Sequence, residues 1–99
     1  MDELARRTMQ PISREEILDA AIRVYGVDAQ MKMMIEEMSE LTKALCKFWR
    51  KNADGRAVAD ILEEMADVQI MLDQMKIIFG ETKDIEAAKI ARLKLSICG

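Results

Sequence analysis

Two short acidic stretches hold most of the chemistry available to this 99-residue chain. The first is Glu36-Glu37-Met38-Ser39-Glu40; the second, starting 23 residues after Glu40, is Glu63-Glu64-Met65-Ala66-Asp67. In each, one pair three residues apart (Glu37/Glu40 and Glu64/Asp67) shares a helix face. Two such helices side by side gather four carboxylates around one point. Four anions brought together repel and lose hydration, so the pattern calls for divalent cations. Oxygen-only ligands favour Mg2+, with Mn2+ as a substitute, over zinc or copper. Carboxylate-held Mg2+ keeps waters and partners substrate phosphates, and two such ions neutralise charge during in-line displacement at phosphorus.

The elements that must position these acids read as helices throughout. Ser13 and Glu16 make a capping box, and Ile17, Ala20, Ala21 and Val24 recur at helical spacing until Gly26. Asp28 is a suitable N-cap for a long helix to about Lys51, with Met31, Met34, Ile35, Met38, Leu41, Leu45, Phe48 and Trp49 as its apolar positions. Asn52-Ala53-Asp54-Gly55-Arg56 is a turn, and so short a connection makes its flanking helices antiparallel neighbours. A third helix runs from about Ala57 to Phe79 with Ile61, Met65, Val68, Leu72, Met75 and Phe79 as its stripe; Gly80 ends it. A fourth, from about Lys83 to Ser96, carries Ile85, Ala88, Ile90, Leu93 and Ile97. The expected fold is all-α: an arm over residues 1–12, then one domain over 13–99, a four-helix bundle with an antiparallel long-helix hairpin.

Charge runs on helices are commonly just a solvated face, so placement matters. At about 100° per residue, Glu37 falls about 40° from Leu41, and Glu64 projects between Met71 and Met75. The acids therefore sit at the seam where a neighbouring helix packs, and ionised carboxylates there are costly unless paired or metal-bound. Glu40 and Asp67 stand at nearly equal distance from the turn, which sets the two claws at one height. Lys47 projects about 20° from Glu40 and Lys43 lies one turn closer; each either pairs with a neighbouring acid or meets a phosphate. Trp49 either stacks on a nucleobase at the mouth of the site or belongs to core or subunit interface. Tyr25 reads as a packed helix terminus, and Cys46 as a buried, inert thiol.

The bulk numbers exclude other classes. The formal charge of −3 gives no basic footprint for a nucleic acid polymer. With no histidine and two cysteines, Cys46 and Cys98, neither a usual zinc site nor a histidine-containing di-iron centre can be assembled. No apolar run approaches the ~20 residues of a membrane span. Met1-Asp2-Glu3 lacks the order of a signal peptide, so a cytoplasmic setting is expected.

The two acidic motifs in the setting Ile35-Glu36-Glu37-Met38-Ser39-Glu40-Leu41-Thr42-Lys43-Ala44-Leu45 and Ile61-Leu62-Glu63-Glu64-Met65-Ala66-Asp67-Val68 resemble the MazG-like family. This family belongs to the all-α nucleoside triphosphate pyrophosphatase superfamily, and the likeness, covering about residues 14 to 97, is to its small single-domain members, including phage-borne ones. The resemblance implies Mg2+-dependent cleavage of a (d)NTP between the α- and β-phosphates, for nucleotide-pool housecleaning. It also implies Glu37, Glu40, Glu64 and Asp67 as metal ligands, Glu36 as support for the site or the attacking water, and self-association as a dimer or tetramer. Lys47 and Lys43, with Lys89 and Arg92 of the last helix, are the candidate phosphate contacts. Gln30 and Gln74 are candidates for substrate contact. The competing expectation is a non-catalytic regulatory or scaffold protein whose acids form subunit salt bridges, which requires Lys or Arg directly opposite them.

Overall fold

The computed structural model describes residues 12–50 and 55–99 and is all-helical. Helix α1 spans Arg14–Tyr25, α2 Val27–Arg50, α3 Gly55–Phe79 and α4 Lys83–Cys98. The expected arm over residues 1–12 lies outside the described residues except for Ile12, as do residues 51–54 of the expected turn.

The helix limits follow from local chemistry. Ser13 caps α1: its hydroxyl oxygen accepts from the Glu16 backbone N–H at 3.1 Å and its O–H donates to the Glu16 carboxylate. Gly26, at φ 92°, ends α1 by donating its N–H to the Ile22 carbonyl at 2.8 Å. A residue with a Cβ resists that backbone angle. Helix α2 starts immediately afterwards at Val27, one residue before the expected cap at Asp28. Gly80, at φ 128°, ends α3 with a bond from its N–H to the Lys76 carbonyl.

Helices α2 and α3 form the antiparallel hairpin, and α1 lies against both. Arg14 ties α1 to α3 through a 2.7 Å bond to Asp73. The interior where the three meet is small: Leu18 of α1, Gln30 of α2, and Met71 and Gln74 of α3 are buried. Inside it the Gln30 amide donates to the Gln74 side-chain oxygen at 2.6 Å, and the Gln74 amide contacts the Met71 sulfur. Gln30 and Gln74 are thus spent on one another. A buried polar pair of this kind sets register, because sliding either helix strands both amides. Changing Gln74 to Leu strands the Gln30 amide and is expected to cost about 1–3 kcal/mol in urea unfolding. The double change of Gln30 and Gln74 to Leu should cost less than the single one, since no buried amide is left unpaired.

Two expectations are corrected. The fourth helix does not join the bundle: α4 touches none of the other helices, and all of its residues are exposed. The radius of gyration is accordingly 18.4 Å, against about 13 Å for a compact chain of this length. Tyr25 is not packed but 68% exposed. It sits at the last position of α1, and the chain turns into α2 without covering it.

Candidate functional site

The antiparallel register set by Gln30 and Gln74 carries the acids with it. Two turns further along the seam, Glu37 of α2 meets Asp67 of α3, and Glu40 comes beside Glu64. One carboxylate oxygen from each of Glu37, Glu64 and Asp67 lies within 4.8 Å of the other two. Glu37 and Glu64 are half-buried, whereas Asp67 is exposed. One Glu64 oxygen, Oε2, is buried with no hydrogen-bond partner among the described residues. An orphaned buried carboxylate oxygen of this sort is open to a cation or to a water.

The electrostatics follow from this crowding. Burial raises the Glu37 carboxyl above its ordinary value, helped by the charges of Asp67, Glu64 and Glu36 and by a hydrogen bond with Asp67. Burial raises Glu64 too, followed by the charges of Asp67, Glu40, Glu63 and Asp60. Among the described residues the ion pairs fall elsewhere: Arg14–Asp73, Arg23–Asp19, Lys32–Asp28, Lys43–Glu40 and Lys76–Glu81. None of them involves Glu37, Glu64 or Asp67.

Glu40, expected as the fourth member, stands apart from this triad. Its Oε1 lies 3.4 Å from the Lys43 ammonium, one turn on, and it opens with Lys43, Lys47, Asp60 and Glu64 onto a cleft of about 190 Å³. Glu36 is exposed and reaches the triad only through its charge on Glu37. Trp49 is 87% exposed near the end of α2 and does not line the cleft. Lys89 and Arg92 share a shallow surface on α4 alone, so a single chain does not bring them to the acids. Cys46 is half-buried rather than buried, and Cys98 is exposed.

Asp60 is the residue that sequence reasoning missed. It lies one turn before Glu64 and faces the same cleft; the signal was its i,i+4 spacing to Glu64 on the acid-bearing side of α3. The two largest clefts, of about 470 and 590 Å³, lie around α1 and the end of α3, away from the acids. In the first, Arg14 and Lys76 are already paired with Asp73 and Glu81. Chemistry therefore points to the smaller cleft. Comparison with known families, characterised proteins and solved structures finds no match.

Proposed function

We propose that this chain is a Mg2+-dependent nucleoside triphosphate pyrophosphohydrolase that cleaves (d)NTPs between the α- and β-phosphates. The observation that carries this is the triad: three carboxylates within 4.8 Å of one another, with no cationic partner among the described residues, one of them with a buried oxygen that has no hydrogen-bond partner among those residues. A salt-bridge scaffold needs Lys or Arg opposite these acids, and the ion pairs of the described residues lie elsewhere.

Glu37, Glu64 and Asp67 are the residues that would hold a divalent ion, with Glu40 beside Glu64 as a further ligand. Mn2+ suits the same oxygens. The bound ion supplies charge neutralisation at the phosphates and a more acidic water. Lys47 and Lys43, at the rim of the cleft, meet phosphate oxygens. Glu36 stands outside the ligand set and orients the attacking water or supports Glu37. Water oxygen bonds to the α-phosphorus, the bridge to the β-phosphate breaks, and pyrophosphate departs as the water's proton is taken up. At about 190 Å³ the cleft is smaller than the ~300–1,000 Å³ of small-molecule pockets, so it takes the phosphates and leaves the base outside. The resemblance to MazG-like proteins adds self-association as a dimer or tetramer.

The test is turnover of eight NTPs and dNTPs with and without Mg2+, with products separated. Monophosphate plus pyrophosphate, dependent on Mg2+, is the expected result. Diphosphate plus orthophosphate would move the bond cleaved. No turnover and no metal binding would return the acids to the scaffold role.

A further inference from the structure

Gln30 and Gln74 are the buried polar side chains among the described residues, at 7% and 3% exposed, and they bond to one another across the hairpin. Glu37 follows Gln30 by seven residues on α2, and Asp67 precedes Gln74 by seven on α3. Seven residues are nearly two turns, so each acid returns to within about 20° of its glutamine's face. Glu40 and Glu64 lie three residues further along each helix, and Ala44 and Asp60 four beyond those. One register thus sets Gln30 against Gln74, Glu37 against Asp67, Glu40 against Glu64 and Ala44 against Asp60. The neighbours of the two raised acids and the lining of the cleft agree with it.

That register is the electrostatically poorer of two. It sets acid against acid, while Lys43 turns to Glu40 on its own helix and Lys47 stands level with Ala57. A slip of three residues, about one turn, sets Lys47 against Asp60 and Lys43 against Glu64. It leaves Glu40 against Asp67 but moves Glu37 away from Asp67 to Ile70. Opposite charges then attract where like charges had repelled. In the slipped register, however, Gln30 faces Ile77 and Gln74 faces Met33, so both amides lose their bond and meet apolar side chains instead. We propose that Gln30 and Gln74 are a positioning pair for the acid site: their bond holds the hairpin against the charge-matched register one turn away, and so keeps Glu37, Glu64 and Asp67 together. What this says of Mg2+ rests on the function proposed above; what it says of register does not.

Gln30→Met with Gln74→Met, made together, removes both amides while keeping side-chain length, and two readouts of the full chain follow it. The first is the distance between spin labels on Met31→Cys and Leu62→Cys, both at exposed positions, in a Cys46→Ser, Cys98→Ser background. In chelator, the methionine pair is expected to lengthen that distance by about 4 Å, since three residues of helix rise about 4.5 Å. The second is Mg2+ affinity by calorimetry without nucleotide, expected to fall about tenfold or more, as when groups that support metal ligands are removed. An unchanged distance in the folded variant overturns the proposal, whatever its metal affinity. A longer distance with unchanged Mg2+ affinity overturns the positioning role. If the parent binds no Mg2+, the metal reading fails, and a longer distance in the variant still upholds the register. Should the methionine pair fail to fold, Gln30→Leu with Gln74→Leu is read in the same way. Failure of both to fold makes the pair a requirement of folding itself and overturns the positioning role.

Discussion

Glu64→Gln is expected to lower Mg2+-dependent turnover by about 10²–10³-fold or more while leaving the helical signal intact. Glu64 sits between the Glu37–Asp67 contact and Glu40, and its Oε2 is the buried oxygen without a hydrogen-bond partner among the described residues. The amide keeps the shape of the side chain but removes its charge, and with it much of the attraction for a cation. The same change removes repulsion in the metal-free state, so the metal-free variant should melt higher than the metal-free parent. Loss of turnover together with a gain in metal-free stability is the signature of a charge kept for function. A structural acid behaves otherwise: removing a scaffold salt bridge lowers stability. If Glu64→Gln turns over normally and melts lower, the metal assignment is wrong. Asp60→Asn should show the same direction with a smaller effect, because Asp60 acts on Glu64 from one turn away.

The second large effect is a dependence of stability on pH that Mg2+ suppresses. Glu37 and Glu64 both have folded-state values raised above the ordinary 4.5. Between the ordinary and raised values the folded chain holds more protons than the unfolded one, so stability falls as pH rises through that window. Above the raised values the loss is complete. Asp73 runs the other way. The bond from Arg14, chiefly, holds its carboxyl below the ordinary 3.8, so its contribution is present above that value and lost as pH falls through the folded one. The metal-free melting temperature is therefore expected to be highest in mild acid and to decline as pH rises from the ordinary carboxyl value through the raised ones. Millimolar Mg2+, which binds the ionised folded state, should raise the neutral end most and flatten the decline. Glu64→Gln should remove much of the slope without added metal. Thermal melts in chelator and in Mg2+ across that range check this, and a metal-free midpoint that climbs steadily toward neutrality would exclude a repelling acid cluster.

Much of this was legible in order along the chain, because helix chemistry is local. Ser13, Gly26 and Gly80 mark helix ends through bonds to residues three or four away. The paired acids share faces because 3.6 residues make a turn. The apolar positions of α2 read as one stripe, yet the structure divides them. Met34, Leu41 and Phe48 turn toward the hairpin seam, while Met31, Ile35, Met38, Leu45 and Trp49 are left exposed. An apolar arc wide enough for two neighbours gives the same periodicity as a broad face against one. Glu40 illustrates a finer limit. Spacing alone made it equivalent to Glu37, but in the hairpin Glu37 meets both α3 acids, while Glu40 sits beside Glu64 with Lys43 at hand.

By itself the amino-acid sequence determined the all-helical class, the hairpin of long helices and the acid pairs that share a face on each of them. Each of these depends on neighbours within about one turn or on the length of one short connection. Only the tertiary structure decided that Glu37, Glu64 and Asp67 converge, that Gln30 and Gln74 pin the register beneath them, and that α4 packs on none of the other helices. These are relations between residues tens of positions apart. They turn on which faces meet and at what register, and a periodic pattern leaves that open until the helices are packed.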